Sequence, residues 1–449
     1  MPIPPELASS CADVRPAGDD DTIGGRQARY VAAPASTEEA SALLRAAAAL
    51  RLTVVPRGAG RLQHWGNPPD SCDLIVDTRR LNRIVEHRAA DLTVTVQAGV
   101  RVRDLERALA PAHQSTALYP PRPAYAGTVG GLVATNASGS RRYGFGTPRD
   151  RLASITAVRA DGTIVSSADD AAAGGRDLVA LLAGSFGSLG LIIEATFRLE
   201  PTPKVSGGIS VKCDEPEHAE RLIEEASGPL IAPLGIGLRW PSADEQLALL
   251  VMIQGDREDF DARAGRVYSL AGRTPPPPID YAHVRRLDDP DHAGFPPAEA
   301  QRLLAQRERI RAEIEDPPAD TGTLVRVSFP PTRLAGTLTL IRAAAAGSGV
   351  DAAIDGSAVD GVLDVKVPAE TPPAAVARFV DALRTDLGSL VQPGAAAPAA
   401  RAVVVYAPDD VRDVTDAHGP VPSLAFLRAV KDEFDPEHRM APGRLADAV

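Results

Sequence analysis

Apolar and polar residues alternate along the first two hundred residues with a period that switches between helix and strand. Ser36 and Glu39 fit a capping box, and apolar residues then recur at helical spacing, which predicts a helix. β-Branched runs predict strands at "RLTVVP", "DLIVDT", "LTVTVQAG" and "LASITAVRADGTIV", the last with an Asp-Gly turn. "RVRDLERALA" predicts a second helix, and "DLVALLAGSFGSLGLIIEATFRLEPTP" predicts a helix, a glycine-rich loop and a long strand.

The pattern changes after Pro203. Strand-like "GGISVKC", "LALLVMIQG", "TLVRVSF", "GVLDVKV" and "RAVVVY" alternate with helical segments, including 332–346, 370–386 and 422–434. This alternation predicts an antiparallel sheet backed by helices. The proline run at 275–278 and the charged stretch around 285–316 predict a surface excursion, and "PGAAAPAA" at 393–400 predicts a flexible loop. A chain of 449 residues is expected to form two or three domains.

Composition narrows the class of protein. The net charge is −11 and no block of Lys or Arg occurs, which argues against nucleic acid and anionic membrane surfaces as partners. Cys11, Cys72 and Cys213 lie far apart, so zinc, iron–sulfur and disulfide frameworks are unsupported and no metal is expected. No signal peptide and no apolar run of membrane-spanning length is visible, so we expect a cytoplasmic location.

The stretch "VVPRGAGRLQHWGNPP", residues 54–69, raises the question of a dinucleotide-binding turn. Gly58 and Gly60 are present, and Asp77 ends the next strand, where a ribose-binding acid is expected. Gln63 occupies the third glycine position, however, and the prolines and glycine that follow exclude the required helix. The Rossmann interpretation therefore fails, and no Gly-Lys-Ser/Thr follows to make a Walker loop.

Two further glycine-rich loops follow, "AGTVGGLVATNASGSRRYGFGTPRD" at 126–150 and "GSFGSLG" at 184–190. Each loop alone could be a surface turn. Glycines also allow backbone N–H groups to approach a ligand closely and to line an anion-binding concavity. Three such loops in one region predict a site for a large phosphate-bearing ligand.

These segments, taken in order, resemble the FAD-binding domain of the vanillyl-alcohol oxidase and p-cresol methylhydroxylase (PCMH-type) flavoproteins. The likeness covers roughly residues 30–203, and "FDPEHRMAPGRL" resembles the family's closing signature. Together with "LVRVSFPP", this tail is similar to the branch that holds the FAD-binding subunit of bacterial glycolate oxidase. The resemblance implies an α+β fold. It has a two-part FAD-binding domain, an antiparallel α/β cap domain and a C-terminal segment that returns to the FAD domain.

The implied domains are an N-terminal extension (1–25), the FAD-binding domain (26–203), a substrate or cap domain (204–405) and a C-terminal segment (406–449). Carried over position by position, the FAD-binding residues lie on the three loops. They are Arg57, Gly58, Ala59, Gly60, Arg61, Leu62, Thr128, Gly130, Gly131, Ala134, Thr135, Asn136, Ser138, Gly139, Gly187, Ser188, Leu189, Gly190 and Ile192.

Several positions depart from the family pattern. Ala59 replaces a mid-loop glycine, and a positive φ would strain it. Arg61 occupies the position of the histidine that bonds flavin covalently in some relatives, so we expect non-covalent FAD. Phe186 replaces a common acidic residue, and Asp177 is what remains of a motif that usually precedes the third loop.

The resemblance implies FAD-dependent oxidation of a CH–OH group, with a small 2-hydroxy acid such as glycolate as substrate. Flavin accepts the hydride, and a protein base takes the hydroxyl proton. An arginine would clamp the substrate carboxylate, and Arg326 and Arg239 on predicted cap strands are the candidates. Tyr143 and His64 are candidate bases. Each could instead be an ordinary surface side chain.

Two alternatives stay open. The chain could be a non-catalytic FAD-binding subunit of a complex like glycolate oxidase, with catalytic flavoprotein and iron–sulfur subunits as partners. It could also be a stand-alone oxidase of sugars or aldehydes. No iron–sulfur motif occurs in this chain, so the electrons of reduced flavin would pass to oxygen, a quinone or a partner.

Overall fold

A computed structural model describes residues 2–168, 177–272, 321–388, 400–421 and 423–445. The chain folds into two units. Unit 1 comprises Met1–Ser138, Gly146–Thr202 and Pro420–Val449, and unit 2 comprises Gly139–Phe145 and Pro203–Gly419. The predicted domain boundaries stay predictions, as does the separate N-terminal extension. The proline run at 275–278 and the stretch 285–316 lie outside the described residues, as does 393–399 of the predicted loop.

The described helices and strands are as follows. The helices are α1 (Pro5–Ser10), α2 (Thr37–Ala49), α3 (Val102–Leu109), α4 (Arg122–Tyr125), α5 (Val129–Thr135), α6 (Arg142–Phe145), α7 (Pro148–Arg151), α8 (Leu178–Leu182), α9 (Pro216–Ala226), α10 (Arg257–Leu270), α11 (Leu334–Ser348), α12 (Pro373–Gly388), α13 (Asp409–Arg412) and α14 (Leu424–Phe434). The strands are β1 (Val14–Pro16), β2 (Thr22–Ile23), β3 (Arg26–Gln27), β4 (Tyr30–Ala32), β5 (Val54–Arg57), β6 (Leu74–Asp77), β7 (Ile84–Arg88), β8 (Thr93–Gln97), β9 (Gln114–Ser115), β10 (Leu152–Val158), β11 (Ile164–Ser166), β12 (Leu191–Arg198), β13 (Glu200–Pro201), β14 (Val205–Cys213), β15 (Gly235–Trp240), β16 (Leu247–Gly255), β17 (Thr321–Ser328), β18 (Ala353–Ser357), β19 (Val362–Pro368) and β20 (Arg401–Tyr406).

Unit 1 contains a four-stranded sheet in the order β1-β4-β6-β5, with β4, β6 and β5 parallel. Helix α2 begins as predicted, because the Ser36 hydroxyl accepts a hydrogen bond from the backbone N–H of Glu39 at 3.2 Å. Leu43 and Leu44 of α2 are fully buried in one cluster with Val54 and Leu74 of the sheet. Burial of this apolar face fixes the parallel strands whose carboxyl ends lead into the first glycine loop.

A second sheet of unit 1 has five antiparallel strands in the order β11-β10-β12-β8-β7. The β10–β11 hairpin turns at Asp161 and Gly162, and Gly162 has a φ of +84°, as the predicted Asp-Gly turn requires. β7 was not predicted from the sequence, since its residues are almost all exposed and show no apolar alternation. The long strand β12 runs directly out of the third glycine loop.

Unit 2 is built on a seven-stranded antiparallel sheet in the order β14-β16-β15-β18-β19-β17-β20. Its strands alternate buried apolar residues with half-buried ones, as in Val362–Pro368. The buried residues share one core with apolar side chains of the helices α9 to α12. The expected α+β class and the antiparallel sheet backed by helices are both confirmed. Among the described residues, no helix is long and apolar enough to cross a membrane.

Candidate functional site

A solvent-open hollow with about 720 Å³ of empty space lies in unit 1, where the three glycine loops meet. The described residues that line it come from the three loops, from Thr78 and from the C-terminal segment. They are Pro56, Arg57, Gly58, Ala59, Gly60, Arg61, Leu62, Gln63, Thr78, Ala124, Gly127, Thr128, Gly130, Gly131, Leu132, Ala134, Thr135, Phe186, Gly187, Gly190, Leu191, Ile192 and Arg444.

The first loop leaves the carboxyl end of β5 and turns at Gly60, whose φ is +72°. A Cβ atom at Gly58 would collide with the hydroxyl oxygen of Thr128, so only glycine lets the first and second loops lie this close. Ala59 is not among the described non-glycine residues with positive φ, and the strain considered for it does not arise. Leu62 and Trp65 are buried beneath the loop and anchor its far side.

The second loop contains a helix that the sequence did not predict. Thr128 caps α5, and its hydroxyl accepts a hydrogen bond from the backbone N–H of Gly131 at 3.3 Å. Glycines at the first turn disfavour a helix in isolation, so local propensity pointed to a loop. Packing of Leu132 and Val133 in the interior overrides that propensity. Thr128, Gly130 and Gly131 of this first turn all line the hollow.

The third loop is shaped by two positive φ values, at Phe186 (+53°) and Gly187 (+77°). The aromatic ring of Phe186, which replaces the expected acid, contributes an apolar wall to the hollow. Asp177 caps the preceding helix α8, since its carboxylate accepts a hydrogen bond from the backbone N–H of Ala180 at 2.9 Å. The remnant of the family motif therefore has a structural role in this chain.

The buried ammonium group of Lys431 binds the third loop. Lys431 Nζ donates hydrogen bonds to the Ser188 carbonyl at 2.7 Å and to the Met440 carbonyl at 2.8 Å. It also pairs with Asp435 at 2.8 Å, and both side chains are fully buried. Burial lowers the pKa of Lys431, and the neighbouring Asp435 carboxylate opposes that shift. The C-terminal segment is thereby tied to the loop.

Arg444 is a site residue that the sequence reasoning missed. Its side chain lines the hollow and donates hydrogen bonds to the backbone carbonyls of Gln63 and Asn67 at 2.9 and 3.0 Å. The guanidinium carbon lies 5.8 Å from the centre of the Phe186 ring, within range of a cation–π interaction. The signal was present in the "APGRL" of the closing signature, but nothing in that tail's pattern indicates which side chain reaches the loop.

Arg57 is the first residue of the RGAG loop, residues 57–60 of the first glycine loop. Its side chain lies against two buried carboxylates. One nitrogen of its guanidinium is 3.1 Å from Asp21 and 3.6 Å from Asp77. Arg15, Arg57 and the backbone N–H of Gly18 bond to Asp21 and hold the pKa of its carboxyl well below its usual range. Asp77, the acid that first suggested a ribose contact, instead pairs with Arg57 at the end of the neighbouring strand and with Arg79 two residues further along the chain.

The lining of the hollow suits an anionic ligand such as a pyrophosphate. Its described lining includes Arg57, Arg61 and Arg444 and no acidic residue, although the whole chain carries a net charge of −11. Gly58 and Gly60 line the same surface, and glycines in such a loop allow backbone N–H groups to approach an anion closely. Apolar side chains such as Leu132, Phe186 and Ile192 complete the wall. A local positive field beside an apolar surface suits an anionic, partly aromatic ligand.

Comparison with known proteins agrees with this geometry. Residues 28–168 match a family model described as an FAD binding domain. This part of the chain is therefore similar to an FAD binding domain. The structure is similar to that of p-cresol methylhydroxylase, with a TM-score of 0.68 over 98% of this chain and 95% of that one. At 14% identity this likeness concerns the fold. FAD as the cofactor is thereby supported.

Two curated relatives are similar in sequence to part of this chain. Glycolate oxidase subunit GlcD of Bacillus subtilis is 31% identical over 207 residues, which are 45% of this chain and 43% of that protein. D-lactate dehydrogenase of Archaeoglobus fulgidus is 29% identical over 250 residues, 52% of this chain and 55% of that protein. The matches therefore span about half the length of these relatives.

Most of the predicted cofactor residues of unit 1 line the hollow. The ones that do not are Asn136, Ser138, Ser188 and Leu189. Asn136 ends α5 with a φ of +46°, and its side-chain oxygen accepts a hydrogen bond from the Arg149 backbone N–H at 3.0 Å. The Ser188 carbonyl is bound to Lys431. His64 is exposed and is not a lining residue of the hollow, and Gly139 belongs to unit 2.

The predicted catalytic residues of unit 2 lie on two different elements. Tyr143 is on the short helix α6 and is 42% exposed. Arg326 is on β17 and makes a two-pronged ion pair with Asp364 of β19, with N···O distances of 2.7 and 2.9 Å. Arg239, Asp355, Asp364 and Arg326 are opposite one another on successive strands, so all four belong to one face of the sheet. This face carries the charges, and the other carries the apolar core.

Proposed function

We propose that the chain is an FAD-dependent oxidoreductase that oxidises a small 2-hydroxy acid, such as glycolate. The hollow formed by the three glycine loops of the FAD-binding domain carries this proposal. Relatives named for glycolate and D-lactate support the substrate class. FAD would supply the two-electron chemistry, because it accepts a hydride that protein side chains cannot take.

The residues of unit 1 would hold the cofactor without a covalent bond. Backbone N–H groups of the RGAG loop would contact the pyrophosphate, and Arg61 would add positive charge. Arg61 occupies the family position of the histidine that bonds flavin, and its side chain has no nucleophilic nitrogen for such a bond. We therefore expect the flavin to be released when the protein is denatured.

Arg326 would bind the substrate carboxylate in this proposal. Asp364 holds two of its guanidinium nitrogens, which fixes the plane of the fork. Asp364 occupies the edge formed by Nε and Nη2, so a substrate carboxylate would pair with the other edge of the guanidinium. Arg239 belongs to the same face of the sheet, three strands away, and would add to the positive charge. Tyr143 and His64 stay candidates for the base that accepts the hydroxyl proton.

The test is an anaerobic titration of the purified chain. The visible spectrum should show bound flavin, and acid precipitation should release all of it into the supernatant. Glycolate and D-lactate should bleach the flavin, while neutral sugars and aldehydes should leave it oxidised. Bleaching by sugars or aldehydes alone would instead identify a stand-alone oxidase of those substrates. A protein that neither retains nor rebinds FAD would refute the proposal.

A second experiment, on a variant, tests whether Arg326 binds the substrate carboxylate. Arg326→Gln should keep its flavin and raise the hydroxy-acid concentration needed for half-maximal reduction by at least about tenfold, or 1.4 kcal/mol. Arg221→Gln is the matched control. Arg221 is exposed, and its ion pair with Glu215 is long, at 3.9 Å, and lies at the surface, so its loss should have little effect. Unchanged turnover in Arg326→Gln would exclude the clamp while leaving the FAD site intact.

A non-catalytic FAD-binding subunit is the second candidate function. Two observations favour it. Arg326 is paired with Asp364, and Tyr143 is exposed. Both arrangements are typical of side chains that have no catalytic role. One relative is itself named a subunit of glycolate oxidase. Catalytic flavoprotein and iron–sulfur subunits would then be the partners, and the cytoplasm is the predicted location. Flavin that is bound but bleached by no hydroxy acid until such partners are added would support this candidate.

A further inference from the structure

The RGAG loop begins at a network of arginine and aspartate side chains next to the cofactor hollow. Arg57 and Asp77 are opposite each other at the carboxyl ends of the parallel strands β5 and β6. Asp21 approaches the same guanidinium from the N-terminal part of unit 1, at 3.1 Å. Asp21 and Asp77 are only 6% and 4% exposed, so two buried carboxylates share one arginine.

Each carboxylate is in turn held by a second arginine. Arg15 pairs with both oxygens of Asp21, at 2.6 and 3.1 Å, and the Gly18 N–H adds a bond of 3.0 Å. Arg79 pairs with Asp77 through Nε and a terminal nitrogen, the latter at 2.6 Å. Three cations thus surround two anions, and neither acid is left without compensation. This arrangement fixes both carboxylates in place.

Neither aspartate lines the hollow, whereas Arg57 and the residues after it do. Thr78, which follows Asp77, also lines it, and its hydroxyl donates a hydrogen bond to the Arg57 carbonyl at 3.4 Å. We propose that Asp21 and Asp77 are positioning residues for FAD. They hold the Arg57 side chain so that the backbone N–H groups of the RGAG loop are presented to the pyrophosphate.

The physical reason is preorganisation. A loop with two glycines has many conformations, and ordering it on binding would cost affinity. Fixing Arg57 at the start of the loop removes part of that cost before the cofactor arrives. The alternative is that the acids merely compete with phosphate for the arginine. In that case their removal would free Arg57 to bind the pyrophosphate, and FAD affinity would rise.

The test compares Asp21→Asn with a control at the other end of the same strands. Asp73 accepts hydrogen bonds from the N–H and hydroxyl of Thr53, at 3.0 and 2.9 Å, and pairs with Arg29. Asp73→Asn therefore removes a carboxylate of the same sheet, away from the RGAG loop. Apo-protein is titrated with FAD, and binding is followed by quenching of flavin fluorescence.

We expect Asp21→Asn to weaken FAD binding by about tenfold, which corresponds to about 1.4 kcal/mol, while Asp73→Asn changes it less than about twofold. Amide hydrogen exchange of residues 57–62 in the apo-protein should be faster in Asp21→Asn alone. In an Arg57→Gln background the effect of Asp21→Asn on FAD affinity should vanish, because the acid acts through that arginine.

Three results would overturn the inference. They are unchanged or tighter FAD binding in Asp21→Asn, an equal loss in Asp73→Asn, or an undiminished effect in the Arg57→Gln background. The inference rests on the FAD site and not on the substrate. A wild-type chain that binds FAD but oxidises no hydroxy acid therefore leaves this test intact.

Discussion

Replacing Lys431 by methionine should be among the most destabilising single changes in unit 1. The ammonium and the Asp435 carboxylate are both fully buried, and three hydrogen bonds of 2.7–2.8 Å join Lys431 to Ser188, Asp435 and Met440. Methionine fills a similar volume but leaves the carboxylate as an uncompensated buried charge. Breaking one partner of a buried pair in this way costs about 3–5 kcal/mol.

The loss can be measured on unit 1 alone because the chain has only two tryptophans. Trp65 belongs to unit 1 and is 7% exposed, while Trp240 belongs to unit 2. In a Trp240→Phe background, the fluorescence of Trp65 reports the unfolding of unit 1 in urea or on heating. For a unit of this size each kcal/mol shifts Tm by about 2–4 °C, so Lys431→Met should lower Tm by about 6–20 °C.

Two comparisons make the reasoning refutable. Asp432→Asn removes an exposed pair with His438 on the same segment and should cost less than about 0.5 kcal/mol. The double variant Lys431→Met, Asp435→Asn should cost clearly less than the sum of its single changes, because the unpaired charge is gone. A loss below about 1 kcal/mol in Lys431→Met, or simple additivity, would show that the buried pair does not hold the segment.

Further predictions concern the loops and the charged network. Arg444→Ala should weaken FAD binding by about tenfold in a fluorescence titration, since two carbonyls of the first loop lose their donor. Gly58→Ala should destabilise unit 1 by about 1–3 kcal/mol in urea, since its Cβ would collide with Thr128. Gly347→Ala, on an exposed turn of α11 with open space around it, should stabilise unit 2 by about 0.5–1 kcal/mol. The lowered pKa of Asp21 implies stability that is complete above about pH 4 and lost as the pH falls further. The stability difference between wild type and Asp21→Asn should therefore be constant near neutrality and shrink in acid. A difference that grows below pH 4 would contradict this sign.

Elements that have a local cause could be predicted from the sequence alone. The capping box at Ser36 and Glu39 starts α2 where predicted, and the Asp-Gly turn closes the β10–β11 hairpin. Period-two alternation located most strands of the antiparallel sheet in unit 2, because one face of each is buried, but it did not locate β18. The family resemblance of the three glycine loops predicted the FAD-binding domain, because the residues that form each loop are consecutive in the sequence.

The distant side chains that complete the site are identified only by the tertiary structure. Helix α5 forms inside a glycine-rich segment because its apolar residues are buried, which no local propensity shows. Arg444 reaches the first loop from more than 370 residues away, and Lys431 reaches the third from 243. Asp77 lies where a ribose-binding acid is expected, but it pairs with Arg57. That arginine, which also pairs with Asp21, meets Asp77 only once the strands are paired. Such contacts depend on geometry between segments, and the order of residues along the chain does not specify that geometry.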